Sequence, residues 1–482
     1  MATFVIDTLT NAQTTLAAND EYFILEGVTQ YFTSAVIDVT GNNTDIFILG
    51  AIVTTAFNTI ELGANTDTNI YVGPTGSILT SSSFRSIKGT GSGTTVTNYG
   101  TISGGQIELD GDTTIFVNGG TVDGTYPSGG LIAALRMNGQ DSRLVNSGMM
   151  NAASDFIVRV EGTATVVNSG TMTGANDGIR AVLSLGEVFR LSNSGTIAAD
   201  GLAVLAGADS DVISNTGTIT GDIQMGGGAD AYMGLGAGVT AGTVLGENGN
   251  DTLTGGDFAD DFDGGADDDQ LVGRGGDDVL DGGSGDDFIL GGEGNDDING
   301  GSNNDTLNAN AGDDTVYGEG GNDVLVGQDG SDLLDGGDND DILDGGNGDD
   351  TLEGGSGNDI LRGRAGEDDL AGGLGLDYLT GGEGADNFVF RSIGDAGIGA
   401  TRDQILDFEQ GVDTIIIAGL SPGVFEFRGT AAFAPSGNPE IRLNETATGS
   451  TIVQIDNNGD GTIDAEIRVG GVTGLTADDF VL

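Results

Sequence analysis

One acidic residue recurs at a fixed position through a long stretch of the chain. From Gly246 to Val389 the sequence repeats every nine residues, sixteen times, without an insertion or deletion. A typical unit is GGSGDDFIL, from Gly282 to Leu290, with Asp at the sixth position and a large apolar residue at the eighth. The sixth-position residues are Asp251, Asp260, Asp269, Asp278, Asp287, Asp296, Asp305, Asp314, Asp323, Asp332, Asp341, Asp350, Asp359, Asp368, Asp377 and Asp386.

The composition of the unit suits a hard cation. Gly holds the first position in fifteen units and the fourth in twelve, and its freedom to adopt φ > 0 lets tight turns aim carbonyl groups at one point. A carboxylate beside such carbonyls favours Ca²⁺, whereas Mg²⁺ prefers a small octahedral shell and keeps its waters. The tract holds 39 acidic and three basic residues, a net charge of −36. A flexible acidic linker is the alternative, but it gives no reason for the fixed positions of Asp and of the apolar residue.

The elements that position these aspartates must be short strands. One apolar residue in nine makes neither an amphipathic helix nor an ordinary alternating strand. It supplies a single inward side chain per strand, so the tract is predicted to stack short strands around a thin core.

These units resemble the RTX repeats, the hemolysin-type calcium-binding nonapeptides of proteins exported by type I secretion. The resemblance implies a right-handed parallel β-roll of 18-residue turns, with each Ca²⁺ between the loops of units n and n+2. Asp278 would then pair with Asp296, and sixteen units would allow up to about 14 sites. It also implies the type I secretion machinery as a partner and a location outside the cell or on a bacterial surface. The units with another residue at position four are expected to bind more weakly: Phe258, Asp267, Asn303 and Asn339.

The segment after Val389 resembles the domain that follows the repeats in serralysin-type proteases. The matching pieces are Asp403–Phe408, Gly411–Asp413 and Asp479–Leu482. This resemblance implies a β cap that carries an uncleaved secretion signal. It brings no protease chemistry, because the chain contains no His.

A second calcium candidate lies in this cap. Asp456, Asn458, Asp460 and Asp464 space their oxygens like the first nine residues of an EF-hand loop. The twelfth position is Ile467 instead of Glu, and no helical pattern flanks the loop. A polar turn held by Asx-type hydrogen bonds explains the same residues, so the sequence leaves both interpretations open.

The N-terminal half repeats more loosely. An Asn followed by a Gly-containing turn and a β-branched or Met pair recurs at spacings of 20 to 28 residues, at Asn98, Asn118, Asn146, Asn168, Asn193 and Asn215. Such a period predicts a parallel β-helix whose Asn residues form an internal amide ladder; ligand binding is the alternative role. The pattern resembles β-solenoid passengers of bacterial adhesins. The chain is therefore predicted to be all-β: a solenoid over 1–245, a calcium β-roll over 246–389 and a C-terminal cap over 390–482.

Composition excludes several functions. The chain has no His and no Cys, which removes Ser-His-Asp and Cys-His catalysis and His-ligated zinc. A net charge of −60 argues against nucleic acid and anionic membranes as partners. No apolar run approaches the roughly 18 residues of a membrane span.

Two functions remain. The first is a secreted, non-enzymatic, calcium-folded surface-layer, matrix or adhesin protein, with self-association or a cell-surface polysaccharide as the contact of its N-terminal half. The second is a polysaccharide-active lyase or epimerase. Its candidate cations are Arg85, Lys88, Arg136, Arg143, Arg159, Arg180 and Arg190, of which Arg159 and Arg180 fall at equivalent positions of the repeat.

Overall fold

The computed structural model describes residues 3–6, 14–17, 19–32, 37–55, 58–64, 67–81, 84–124, 133–153, 156–418 and 425–482. Within them the protein is all-β, as predicted, with short 3-10 helices at Ile393–Ala396, Gly399–Thr401 and Ala477–Asp479. None of the helices in these ranges is long and apolar enough to cross a membrane. The chain divides into two compact units, Met1–Asp257 and Phe258–Leu482.

The first unit is a three-sided parallel β-helix. One coil contains Thr95–Asn98 on face 1, Thr101–Ser103 on face 2 and Gln106–Leu109 on face 3. The next coil stacks on it in parallel register, with Asn98 opposite Asn118. The predicted β-helix is confirmed.

The strands of the three faces follow in chain order. Face 1 contains Thr3–Ile6, Glu21–Ile24, Asp45–Ile48, Asn69–Val72, Thr95–Asn98, Ile115–Asn118, Ser142–Asn146, Ala164–Asn168, Phe189–Asn193, Val212–Asn215, Ala231–Gly234 and Thr252–Thr254. Face 2 contains Thr29–Phe32, Ala51–Thr54, Ser77–Thr80, Thr101–Ser103, Thr121–Gly124, Met149–Ala152, Thr171–Gly174, Thr196–Ala199, Thr218–Thr220 and Val239–Ala241. Face 3 contains Thr14–Leu16, Ile37–Val39, Ile60–Leu62, Arg85–Gly89, Gln106–Leu109, Ala133–Asn138, Phe156–Glu161, Asp177–Val182, Val204–Leu205, Ile223–Gly227 and Val244–Asn248.

A row of buried amides runs along the end of face 1. Each Asn from Asn98 to Asn193 donates from Nδ2 to Oδ1 of the next Asn at 2.8–2.9 Å, and the row ends at Asn215. All six side chains are buried. The predicted amide ladder is confirmed, and it satisfies side chains that would otherwise be costly to bury.

The second unit begins as a two-sided roll. Each 18-residue turn contributes two strands, such as Val279–Ser284 and Phe288–Glu293. Val279 pairs with Asp297, one turn later, in parallel. The eighth-position side chain of each unit fills the core, where Leu280 and Ile289 are almost fully buried. The predicted β-roll is confirmed.

The roll strands also follow in chain order. One face contains Asp261–Ala266, Val279–Ser284, Asp297–Ser302, Thr315–Gly320, Leu333–Asp338, Thr351–Gly357, Asp369–Gly375 and Asn387–Phe390. The other contains Gln270–Gly275, Phe288–Glu293, Thr306–Ala311, Val324–Asp329, Ile342–Asn347, Ile360–Ala365 and Tyr378–Glu383.

The C-terminal segment continues and then closes this unit. Gln404–Ile405 and Thr414–Ile417 extend the two roll faces in parallel. Glu440–Glu445, Thr451–Asp456 and Ala465–Val469 then form an antiparallel sheet. The short strands Glu426–Phe427 and Phe480–Val481 complete the segment, pairing with Glu440–Glu445 and Thr414–Ile417.

Candidate calcium sites

The sixth-position aspartates form two columns along the roll, one from the odd-numbered and one from the even-numbered units, because each is bonded to the Asp two units away. The backbone N–H of Asp287 donates to Oδ1 of Asp305, 18 residues later, at 2.8 Å. The same bond, at 2.7–3.1 Å, joins every such pair from Asp260 and Asp278 to Asp368 and Asp386. The structure therefore brings together the aspartates of units n and n+2, and their sharing of calcium ions stays a prediction. Asp251, the first of the series, is buried in the other unit of the chain.

In thirteen of these carboxylates the second oxygen has no hydrogen-bond partner. Oδ2 is buried and unpartnered in Asp278, Asp287, Asp296, Asp305, Asp314, Asp323, Asp332, Asp341, Asp350, Asp359, Asp368, Asp377 and Asp386. A buried, unpaired carboxylate oxygen costs several kcal/mol, on the order expected for any uncompensated buried charge. A buried carboxylate oxygen that lacks a partner in turn after turn is what a series of metal ligands would show in the absence of the metal.

Main-chain oxygens face the same space. A Cβ atom built on Gly282 would lie 2.5 Å from Oδ2 of Asp287 and 2.7 Å from the carbonyl oxygen of Gly300. In the described part of the chain, no three Asp, Glu, His or Cys side chains cluster as a metal site on their own. Carboxylate and carbonyl oxygens together are the ligand set that Ca²⁺ takes, so the residues present fit this ion.

The turns keep their shape in three of the four units in which another residue replaces Gly at position four, Phe258 being the exception. Gly283 and Gly285, at positions two and four of their unit, have φ of 95° and 144°. Asp267, Asn303 and Asn339 at position four also have positive φ, between 77° and 83°. Asp and Asn tolerate this conformation better than most residues, so these substitutions preserve the left-handed turn. Weaker calcium binding by these units stays a prediction.

Burial makes the metal-free carboxyls hold protons. It raises the pKa of Asp296, Asp305, Asp341, Asp350 and Asp359 to about 7, and neighbouring aspartates of the same column add to the effect. The bond from the backbone N–H one turn earlier opposes it. A cation beside Oδ2 would favour the charged carboxylate instead.

Two further aspartates extend the two columns by one member each after the repeat ends. Oδ1 of Asp403 accepts from the N–H of Asp377 at 2.9 Å, and Oδ1 of Asp413 accepts from Asp386 at 3.2 Å. Oδ2 of Asp403 is buried and unpartnered, whereas Oδ2 of Asp413 accepts from the N–H of Glu409. These two were not predicted as ligands because they follow their partners by 26 and 27 residues instead of 18. The available signal was an apolar residue two positions after each Asp, at Ile405 and Ile415.

The loop with EF-hand-like spacing joins two antiparallel strands. Both carboxylate oxygens of Asp456 accept backbone N–H groups, from Gly459 and Gly461 at 2.8 and 2.7 Å. Oδ1 atoms of Asn458 and Asp460 accept from backbone two residues later, and Oδ2 of Asp464 accepts from Asn457. These are the hydrogen bonds of the polar-turn interpretation. A calcium ion held by Asp456, Asn458, Asp460 and Asp464 stays a prediction.

Comparison with known families bears directly on the roll. The model of the RTX calcium-binding nonapeptide repeat (4 copies) matches eight overlapping segments: 245–280, 263–298, 272–307, 290–325, 299–334, 317–352, 335–370 and 362–390. Residues 245–390 are an RTX repeat region. Its RTX tract is a calcium-binding module, and the likeness of the cap to serralysin-type domains stays a prediction.

The comparisons with curated proteins and with solved structures are less informative. No curated protein matches the RTX chain. Among solved structures, the solution structure of the AlgE6R3 subunit of the Azotobacter vinelandii mannuronan C5-epimerase is similar, with 33% identity over 30% of this chain and 78% of that chain, at a TM-score of 0.25.

Proposed function

We propose that this RTX protein is secreted through a type I system and folds its β-roll on calcium outside the cell, as a surface-layer, matrix or adhesin component. The observation that carries this proposal is the two columns of buried aspartates, thirteen of which have an unpartnered Oδ2 atom. We retain solenoid, roll and cap as its domains, with limits at 245/246 and 389/390.

The acidic tract is the part of the chain that responds to calcium. Without metal, 39 acidic residues against three basic ones repel each other, which favours an open chain suited to export. When bound, calcium supplies positive charge between consecutive loops. The paired aspartates then hold adjacent turns together, and binding free energy becomes folding free energy. Affinities on the order of 10⁻⁴ to 10⁻³ M suit an extracellular module.

The solenoid is the part that persists without calcium. Its core contains aliphatic and aromatic side chains from all three faces, and the Asn ladder satisfies its buried amides. A stack of coils presents long regular faces, which supports self-association or contact with a cell-surface polysaccharide.

Calcium titration of the whole protein tests this proposal. Circular dichroism of EGTA-treated protein should show part of the final β signal, and added Ca²⁺ should restore the rest cooperatively. Mg²⁺ at the same concentration is the matched control and should restore little. A full β signal in EGTA that calcium leaves unchanged would refute the folding mechanism.

A row of charged side chains on face 3 supports a second candidate function, that of a polysaccharide-active enzyme. Lys88, Glu108, Arg136, Arg159 and Arg180 occupy equivalent positions on consecutive strands. Parallel strands lie about 4.8 Å apart, so the row presents regularly spaced cations to a linear polyanion.

Nearby carboxylates partly neutralise the positive charge of this row. Arg136 pairs with Glu161 at 3.1 Å and with Glu108 at 3.6 Å, while Arg180 lies over the ring of Phe156. Assays for uronate release and epimerisation on acidic polysaccharides distinguish the candidates. Product formation by the wild type that Arg159→Ala abolishes favours the enzyme; no product with any acidic polysaccharide favours the structural role.

A further inference from the structure

We propose that the calcium array begins one coil before the nonapeptide tract, inside the three-sided solenoid, at a site built by the loop of Asp230 and the loop of Asp251. This inference rests on the proposed function, because it assumes that the paired loops of the roll take calcium. Asp230 lies outside the sixteen units and 21 residues before Asp251.

The backbone around Asp230 has the geometry of a roll loop. Gly226 and Gly228 have φ of 107° and 117°, the left-handed conformation found at positions two and four of the roll units. Gly226 and Gly227 pair with Glu247 and Asn248 of the following coil, as Gly283 and Ser284 pair with Gly301 and Ser302 in the roll. The second residue after the Asp also matches the roll unit, because Tyr232 is buried in the core as the eighth-position residue of a unit is.

The hydrogen bonds repeat the pattern of the roll as well. The N–H of Asp230 donates to Oδ1 of Asp251 at 2.7 Å, as Asp287 does to Asp305 at 2.8 Å. The N–H of Thr252 donates to the carbonyl of Asp230 at 2.9 Å, and that of Thr306 donates to Asp287 at the same distance. The two loops are thus stacked as roll loops are, although the coil between them has three strands.

One buried oxygen is left without a partner. Asp230 is 2% exposed, its Oδ1 accepts from the N–H of Asp211, and its Oδ2 has no hydrogen-bond partner. This is the condition of the thirteen roll aspartates described above. Met225 replaces Gly at the first position of this loop, which is where the nonapeptide pattern fails in the sequence.

The preceding coil shows where the array stops. Asp211 is also buried, but its Oδ1 accepts from the N–H of Phe189 and its Oδ2 from the N–H of Gly207, both at 2.7 Å. Gly207 lacks the positive φ of Gly226. With both oxygens satisfied by backbone donors, Asp211 has no need of a cation. Asp230 is therefore the terminal carboxylate of the array, and it contributes to one site only.

The experiment uses the full chain and two variants, Asp230→Asn and the control Asp200→Asn, which removes an exposed charge from the same solenoid. Equilibrium dialysis with ⁴⁵Ca²⁺ should show one ion fewer for Asp230→Asn and no change for Asp200→Asn. An unchanged stoichiometry for Asp230→Asn would overturn the proposal.

A second measurement does not depend on the variant folding. In the wild type, hydrogen exchange of the peptide 225–233 should slow on addition of Ca²⁺, while exchange within 164–199 should stay constant. If residues 258–389 respond to calcium and 225–233 do not, the Asp230 site is refuted and the proposed function stands. If neither responds, the proposed function itself fails.

Discussion

The N–H of Asp287 donates a hydrogen bond to Oδ1 of Asp305 at 2.8 Å and leaves the other carboxylate oxygen of Asp305, Oδ2, buried without a partner. Asp305 in turn donates to Asp323 at 2.7 Å. Each carboxylate therefore belongs to two consecutive loop pairs, so that one substitution should affect two calcium sites.

Asp305→Asn tests this sharing. It removes the charge but keeps an oxygen acceptor, and we expect about two fewer calcium ions per chain by equilibrium dialysis. Asp313→Asn is the control, since Asp313 is exposed and accepts from Ser331 instead of joining a buried column. A loss of equal size in both variants would indicate a general charge effect.

Gly318→Ala and Gly320→Ala separate two roles of Gly within one unit. A Cβ on Gly318 would lie 2.6 Å from Oδ2 of Asp323 and 2.6 Å from the carbonyl oxygen of Gly336, whereas a Cβ on Gly320 would meet nothing within 4 Å. We expect Gly318→Ala to weaken calcium binding and to lower the free energy of unfolding by about 1–3 kcal/mol through overpacking. Gly320→Ala should be neutral or slightly stabilising, because Ala restricts the unfolded chain. Equal effects in calcium-loaded urea denaturation would contradict this assignment.

Asn168→Ala should destabilise the solenoid independently of calcium. Asn168 accepts from Asn146 and donates to Asn193 and to the carbonyl of Thr196, all at 2.8–3.1 Å. Its loss leaves buried amide groups unpaired, at a cost of about 2–4 kcal/mol. Denaturation in EGTA measures this, with Ser192→Ala on the exposed side of the next strand as control. An unchanged midpoint would show that the ladder contributes nothing to stability.

The metal-free roll should be more stable in acid than in base. Burial raises the pKa of Asp341, Asp350 and Asp359 from 3.8 to about 7, so the folded roll holds protons that the unfolded chain has released. The stability contributed by these protons is complete below pH 4 and is lost as pH rises through about 7. Circular dichroism of metal-stripped protein should show more β structure at pH 5 than at pH 8. Calcium added at pH 5, where the metal-free folded roll still holds these protons, should release them, and a pH-independent spectrum with no proton release would contradict the assignment.

Much of this structure follows from local periodicity. The β-roll and the Asn ladder were predictable because the same residue returns at the same phase: Asp278 predicts Asp296, and Asn146 predicts Asn168. Asp403 and Asp413 were not assigned as members of the columns because inserted residues between Phe390 and Gln404 change the spacing while the strand pairing is preserved. The hydrogen bonds inside the loop of Asp456 depend on backbone donors that side-chain spacing does not specify.

Site-resolved hydrogen exchange of the full chain, with EGTA and then with saturating Ca²⁺, tests the central claim most directly. We expect amides in 258–389 to exchange rapidly in EGTA and to become protected with calcium, while amides in 95–124, 133–153 and 156–220 stay protected in both conditions. Protection of 258–389 in EGTA equal to that with calcium would contradict calcium-driven folding of the roll.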